Sequence, residues 1–163
     1  MFDLVQFLEN TNISSILAGF FALAGTATGF FLNYWLDSKK EANERKKYCH
    51  LFKSDLEGKD RKISHLMDKV RSESQYEMQM RLNPAVFFNQ FNFDELTRFY
   101  DMNYERLYYF NGDAVKKVND VYFHIKNAKE YFESKRDAQT CYNELDWAIK
   151  GIKPAIKALD DSL

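Results

Sequence analysis

Proline and cysteine occur only twice each in this chain, and glycine six times. Each scarcity excludes something. Three of the glycines, Gly58, Gly112 and Gly151, are all that remain outside an apolar N-terminal stretch, so there is no Gly-rich cradle for a phosphate. The HExxH, GxSxG and CxxC patterns are absent. Cys49 and Cys141 lie far apart without partner spacing, and read as free thiols of a reducing compartment instead of a disulfide framework. His50, His65 and His124 are scattered. His50 also sits next to Cys49, about 100° away around a helix, so the two cannot converge on one metal from one face. The expectation is a protein that is not an enzyme and needs no cofactor or metal.

Strong charge of one sign is lacking as well. The net charge is -1, too mild for a dedicated nucleic-acid binder. It is spread unevenly: residues 1–36 carry -2, residues 37–81 carry +3, and residues 82–163 carry -2.

What the sequence does have is a long uncharged run. No charged residue occurs between Glu9 and Asp37. Residues 13–36 span roughly 36 Å as a helix, enough to cross a hydrocarbon core of about 30 Å with some tilt. Tyr34 and Trp35 stand at its end, where aromatic rings favour the lipid–water interface. A cleaved export signal fits poorly despite Ala22-Leu23-Ala24, because the preceding segment is acidic and the apolar run is too long. Lys39, Lys40, Arg45, Lys46 and Lys47 follow the run and no Lys or Arg precedes it. The positive-inside tendency therefore puts the C-terminal part in the cytoplasm and the N-terminus outside, a single pass through the inner (cytoplasmic) membrane. Residues 1–12 form a short external or interfacial segment.

Small residues mark one face of this helix. Ser15, Ala18, Ala22, Gly25 and Gly29 step by three and four, and "GTATG" is a GxxxG motif of the kind that lets two backbones approach closely. These five are the expected packing face of a homo-oligomer. Thr26, Thr28 and Asn33 are candidate pore-lining residues, although a hydroxyl can bond to its own helix instead.

Residues 37–81 read as a long basic juxtamembrane helix. Cys49, Phe52, Leu56, Ile63, Leu66 and Val70 follow a coiled-coil-like 3.5-residue ladder, interrupted by Lys59 and with Gly58 as a weak point. Arg45, Lys46, Lys47, Lys53, Arg61 and Lys62 are candidates for contact with an anionic ligand or lipid, the plain alternative being a topology signal. Asn83 and Pro84 mark a helix break and restart.

Residues 82–163 read as an aromatic-rich cytoplasmic helical bundle. Asn92 with Glu95 forms a capping-box signature, Asn111-Gly112 a helix stop, and Asp113 a new N-cap. Helices are expected over residues 114–135 and 138–159, the second kinked at Pro154. Phe99, Ile125, Phe132 and Trp147 are expected in the core. The aromatics of residues 84–110, Phe87, Phe88 and Phe91 among them, read mainly as core. Tyr100, Tyr104 and Tyr108 at i, i+4, i+8, with Arg98 and Arg106 beside them, offer a weaker stacking platform for a nucleotide or nucleic acid. Asp94-Glu95 reads as a helix start and Asp160-Asp161 as a solvated tail.

The fold class is therefore all-α: one N-terminal transmembrane helix, a long juxtamembrane helix and a cytoplasmic bundle. In layout alone, it resembles small bacterial membrane proteins, including transmembrane effectors of anti-phage systems. That resemblance implies an oligomeric effector whose cytoplasmic domain couples a partner or ligand to membrane permeability. The alternative is an anchor that recruits a soluble protein partner.

Overall fold

The computed structural model describes residues 4–75, 92–134 and 138–163, with side chains from Ser15 onward, apart from Val70 and residues 73–75. The expected continuation of the juxtamembrane helix over residues 76–81, the Asn83–Pro84 break, Phe87, Phe88, Phe91 and the place of Val70 on the ladder lie outside the described residues.

Every regular element among the described residues is helical. Helix α1 runs Leu4–Gln75, α2 Phe93–Asn103, α3 Gly112–Glu133 and α4 Ala138–Asp160, with a 3₁₀ helix, Tyr104–Tyr109, directly after α2. The chain divides into two compact units, Met1–Asn43 and Glu44–Leu163.

In the first unit, α1 is the sole element, and each of its described side chains is exposed. Phe20 is 69 % and Phe30 72 % accessible, and Ile16, Phe21, Leu23 and Phe31 are similarly bare. Among the described residues, α1 is the one helix long and apolar enough to cross a membrane. Burying so much apolar surface is the dominant favourable term in folding. Contiguous exposed apolar surface of this kind marks a candidate site of membrane or protein contact.

The second unit closes around its own core. Along α1, Cys49, Phe52, Leu56 and Ile63 of the expected ladder are buried, Lys59 and Met67 are buried with them, and Leu66 is only partly covered. Phe52 meets Phe99 (5.2 Å) and Phe110 (6.2 Å) edge to face. Helices α3 and α4 form the most intimate pair. Small residues stand where they meet: Cys141 Sγ donates to the Ala128 carbonyl at 3.2 Å, and a Cβ on Gly151 would lie 3.0 Å from Cγ2 of Val121.

Several boundaries differ from expectation. The N-cap of α3 is Asn111, whose side chain accepts from the Ala114 N–H at 2.9 Å, and Asp113 falls in the first turn. Either residue can cap, but capping from Asn111 lets the helix begin at Gly112, two residues after Phe110 enters the core. Asn92 caps α2 as expected, accepting from Glu95 N–H at 3.3 Å. Pro154 sits inside α4, which is helical on both sides of it. Trp147 is not in the core; it is 59 % exposed. The buried stripe of α4 runs Cys141, Leu145, Ala148, Ile152, Ala155 and Leu159, and residue 147 lies about 200° around the helix from Leu145. Ile125 is buried, while Phe99 and Phe132 pack on the core half-covered.

Candidate functional site

Four places carry polar or unpartnered groups that packing alone does not explain. The first is the small-residue face of the apolar segment. Ser15, Ala18, Ala22, Gly25 and Gly29 are all exposed, and a Cβ built on Gly25 or Gly29 would meet nothing within 4 Å. The hydroxyls of Thr26 and Thr28 donate to the carbonyls of Ala22 and Ala24, each at 2.8 Å. Serine and threonine hydroxyls inside helices commonly bond back to the carbonyl one turn earlier in this way. Asn33 is exposed. Near the end of the run, the Lys39 ammonium stands 3.8 Å from the centre of the Trp35 ring, a pairing of cation and indole suited to an interface.

The second place is ionic and buried. Lys59, the residue that interrupts the ladder, is only 4 % exposed. Its ammonium donates to Oδ2 of Asp55, one turn earlier, and the Tyr122 hydroxyl of α3 donates to the same oxygen. The ammonium also stands 5.1 Å over the Tyr122 ring. Burial pushes the Lys59 ammonium below the usual lysine range and the Tyr122 phenol far above its own. Behind them, Tyr100 stacks on Tyr122 at 4.2 Å and donates to Oδ1 of Asn119 at 2.8 Å.

The third is a small cleft of about 240 Å³ between α3 and α4, lined by Asp120, Val121, His124, Trp147, Lys150 and Gly151. His124 Nδ1 lies 2.7 Å from Oε2 of Glu144, and Asn127 donates to the same oxygen at 3.4 Å. Trp147 stacks on His124 at 6.2 Å, and Lys150 pairs with Asp146 at 2.6 Å. Sequence reasoning left His124 isolated, since Glu144 is 20 residues away and on another helix.

The fourth joins two segments that looked separate. In the 3₁₀ helix three residues make a turn, so Arg106 and Tyr109 lie on one edge. Both meet Tyr48 of α1: Tyr109 stacks on it at 5.6 Å and 13°, and the Arg106 guanidinium stands 5.4 Å over its ring. Lys47 approaches the same ring at 5.3 Å, and Tyr108 lies 4.1 Å from Tyr109. A hydrogen bond between Tyr108 and Tyr109 holds the Tyr109 phenol above its ordinary range.

Of the stacking platform expected from Tyr100, Tyr104 and Tyr108, the Tyr100 and Tyr104 rings lie 6.3 Å apart, tilted by 38°. The α period ends at Asn103, Tyr100 turns inward to Tyr122, and Tyr104 and Tyr108 remain exposed. Arg98 is exposed on α2.

The basic candidates on α1 also part company. Lys53 is bound to Asp160 at 2.6 and 2.9 Å, so that acid is paired instead of solvated. Lys62 pairs with Glu95, and Arg61 donates from Nε to the Glu57 carbonyl at 3.3 Å. Arg45 is half-buried, while Lys46 and Lys47 are exposed. Cys49 and Cys141 are free and buried, donating to the carbonyls of Leu159 (3.6 Å) and Ala128 (3.2 Å). Among the described residues, no cluster of three or more His, Cys, Asp or Glu is arranged to hold a metal ion. No protein-family model, curated protein or solved structure matches this chain.

Proposed function

We propose that this chain is a single-pass inner-membrane protein that self-associates through residues 13–36, and that its helical bundle, with α1 as a coiled-coil-like juxtamembrane helix, lies in the cytoplasm. In this reading the bundle couples a soluble partner or ligand to the opening of a path across the membrane, the role played by the anti-phage effectors whose layout it resembles. The observation that supports it most is the contrast between the units: an apolar core among the described residues of 44–163, and an apolar helix before it whose described side chains are all bare. Close approach along Gly25 and Gly29 then supplies the association, because apolar side chains gain nothing against one another in lipid.

A second reading, a plain anchor that recruits a partner, is favoured by the Thr26 and Thr28 hydroxyls being bonded to their own helix. One experiment separates the two. On expression in bacteria, a permeabilising protein depolarises the cells, and Gly25→Leu or Gly29→Leu abolishes that effect while Phe20→Leu and Phe31→Leu leave it intact. Membrane incorporation without depolarisation identifies the anchor.

A further inference from the structure

A strict heptad ladder specifies a face of a helix better than it specifies a position along that face. On α1, Cys49, Phe52, Leu56, Lys59, Ile63 and Leu66 step by three and four. Sliding α1 by one heptad, about 10.5 Å at 1.5 Å per residue, would present a nearly equivalent apolar stripe to the rest of the core. The surface ion pairs tolerate such a slide as well. Lys53 pairs with Asp160 and Lys62 with Glu95, and Lys46 and Lys69 stand one heptad before the first lysine and one after the second. A slide one way brings Lys46 to Asp160, and a slide the other way brings Lys69 to Glu95. Ion pairs this exposed contribute little in any case.

One contact resists the slide. Tyr122 of α3 is fully buried, and its hydroxyl donates to Oδ2 of Asp55, the oxygen that also accepts from the Lys59 ammonium. Lys59 is the one charged residue buried among the described residues. Asp55 and Lys59 share a helix and travel together, whereas Tyr122 stays behind. In a slid register the tyrosine meets Tyr48 or Lys62 in place of Asp55, and neither is a carboxylate. The ion pair meanwhile enters a stretch of core built for Phe52 or Leu66. Both changes cost free energy that apolar packing does not return. We propose that the Tyr122–Asp55–Lys59 bridge is a register lock, which selects where α1 docks along α3, and that this selection, not added stability, is its role. A single polar residue on a heptad ladder fixes register in other helical assemblies at a cost in stability. The inference concerns residues 44–163 alone and stands apart from the membrane reading.

The test is zero-length carbodiimide cross-linking of the full chain in detergent, with the linked lysine–carboxylate pairs identified by mass spectrometry. Mixing isotope-labelled and unlabelled chains separates links within a chain from links between copies. The parent is expected to give Lys53–Asp160 and Lys62–Glu95 links without Lys46–Asp160 or Lys69–Glu95. A triple variant, Asp55→Leu/Lys59→Met/Tyr122→Phe, should melt at or above the parent's temperature, because apolar groups of similar volume replace a buried ion pair. One or both heptad-shifted links should rise in it at least about fivefold, the lower end of what an orphaned buried hydroxyl imposes. Tyr122→Phe alone, which leaves the ion pair in place, should raise the same links by a smaller factor. A triple variant that keeps only the parent's links shows that apolar packing sets the register, and overturns the lock. A triple variant that melts well below the parent shows a stabilising role and overturns it too. Shifted links in the parent itself contradict any fixed register.

Discussion

At the scale of single residues, Lys59 is the most informative position. A lysine on the inner ladder of α1 breaks the apolar pattern, and its burial is tolerable because its ammonium donates to Asp55, whose same oxygen also accepts from the Tyr122 hydroxyl. Removing one partner of a buried pair leaves an uncompensated charge, which typically costs about 3–5 kcal/mol. Lys59→Ala should therefore lower stability by about 3 kcal/mol, near the bottom of that range because Asp55 keeps some contact with water. Tyr122→Phe, which removes one hydrogen bond and leaves the ion pair, should cost only about 1–2 kcal/mol. Thermal unfolding of the full chain in detergent measures both, and an Ala variant as stable as the parent would show that Lys59 is not held in the core. Cys49 provides a pH-dependent check. Burial raises its thiol above the ordinary range, with Asp160 adding to the effect and Lys53 opposing it. The folded chain thus keeps a proton that the unfolded chain has lost, so the thiol's contribution is complete below about pH 8.5 and fades as the pH rises through the folded value. The stability gap between the parent and Cys49→Ala should narrow from pH 7 to pH 10; a widening gap contradicts the assignment.

At the scale of elements, two glycines in helices should respond oppositely to the same change. A Cβ on Gly58 meets nothing within 4 Å, whereas one on Gly151 meets Val121 at 3.0 Å. Gly58→Ala should raise stability by about 0.5–1 kcal/mol, the usual helix gain, while in Gly151→Ala that gain is offset or outweighed by crowding of about 1–3 kcal/mol. If Gly58→Ala is destabilising and Gly151→Ala is not, the helix pairing is misassigned. The same contrast shows what could be read in advance. Local signals were legible: the Asn92 cap, the buried face of α3 from Val118 to Ala128, and the α4 stripe through Leu145, Ile152 and Leu159. Each depends on neighbours within one or two turns. Juxtapositions set by tertiary packing were not legible. Nothing near Lys59 announces Tyr122, nothing near His124 announces Glu144, and the switch from α to 3₁₀ at Tyr104 carries no proline or glycine to mark it. That switch sets Arg106 over the Tyr48 ring while it keeps a hydrogen bond with Tyr108. Trp147 was misjudged for a related reason: aromatic character suggested the core, but the helical phase relative to Leu145 decided its side.

At the scale of the whole molecule, the two units imply separable behaviour. The core of residues 44–163 is closed by its own helices. That fragment should be expressed as a soluble, strongly helical protein with a cooperative melt, and aggregation with loss of helix would contradict an independent core. The central claim concerns the other unit, where residues 13–36 are read as crossing the membrane with the basic flank inside. The most direct measurement is a pair of topology reporters in bacteria, one before Met1 and one after Leu163, each read with a fluorescent protein active in the cytoplasm and a phosphatase active outside it. The expected result is phosphatase activity at the N-terminal fusion and fluorescence at the C-terminal fusion. Cytoplasmic signals at both ends would contradict the span itself, and a cytoplasmic N-terminus with an external C-terminus would contradict its orientation.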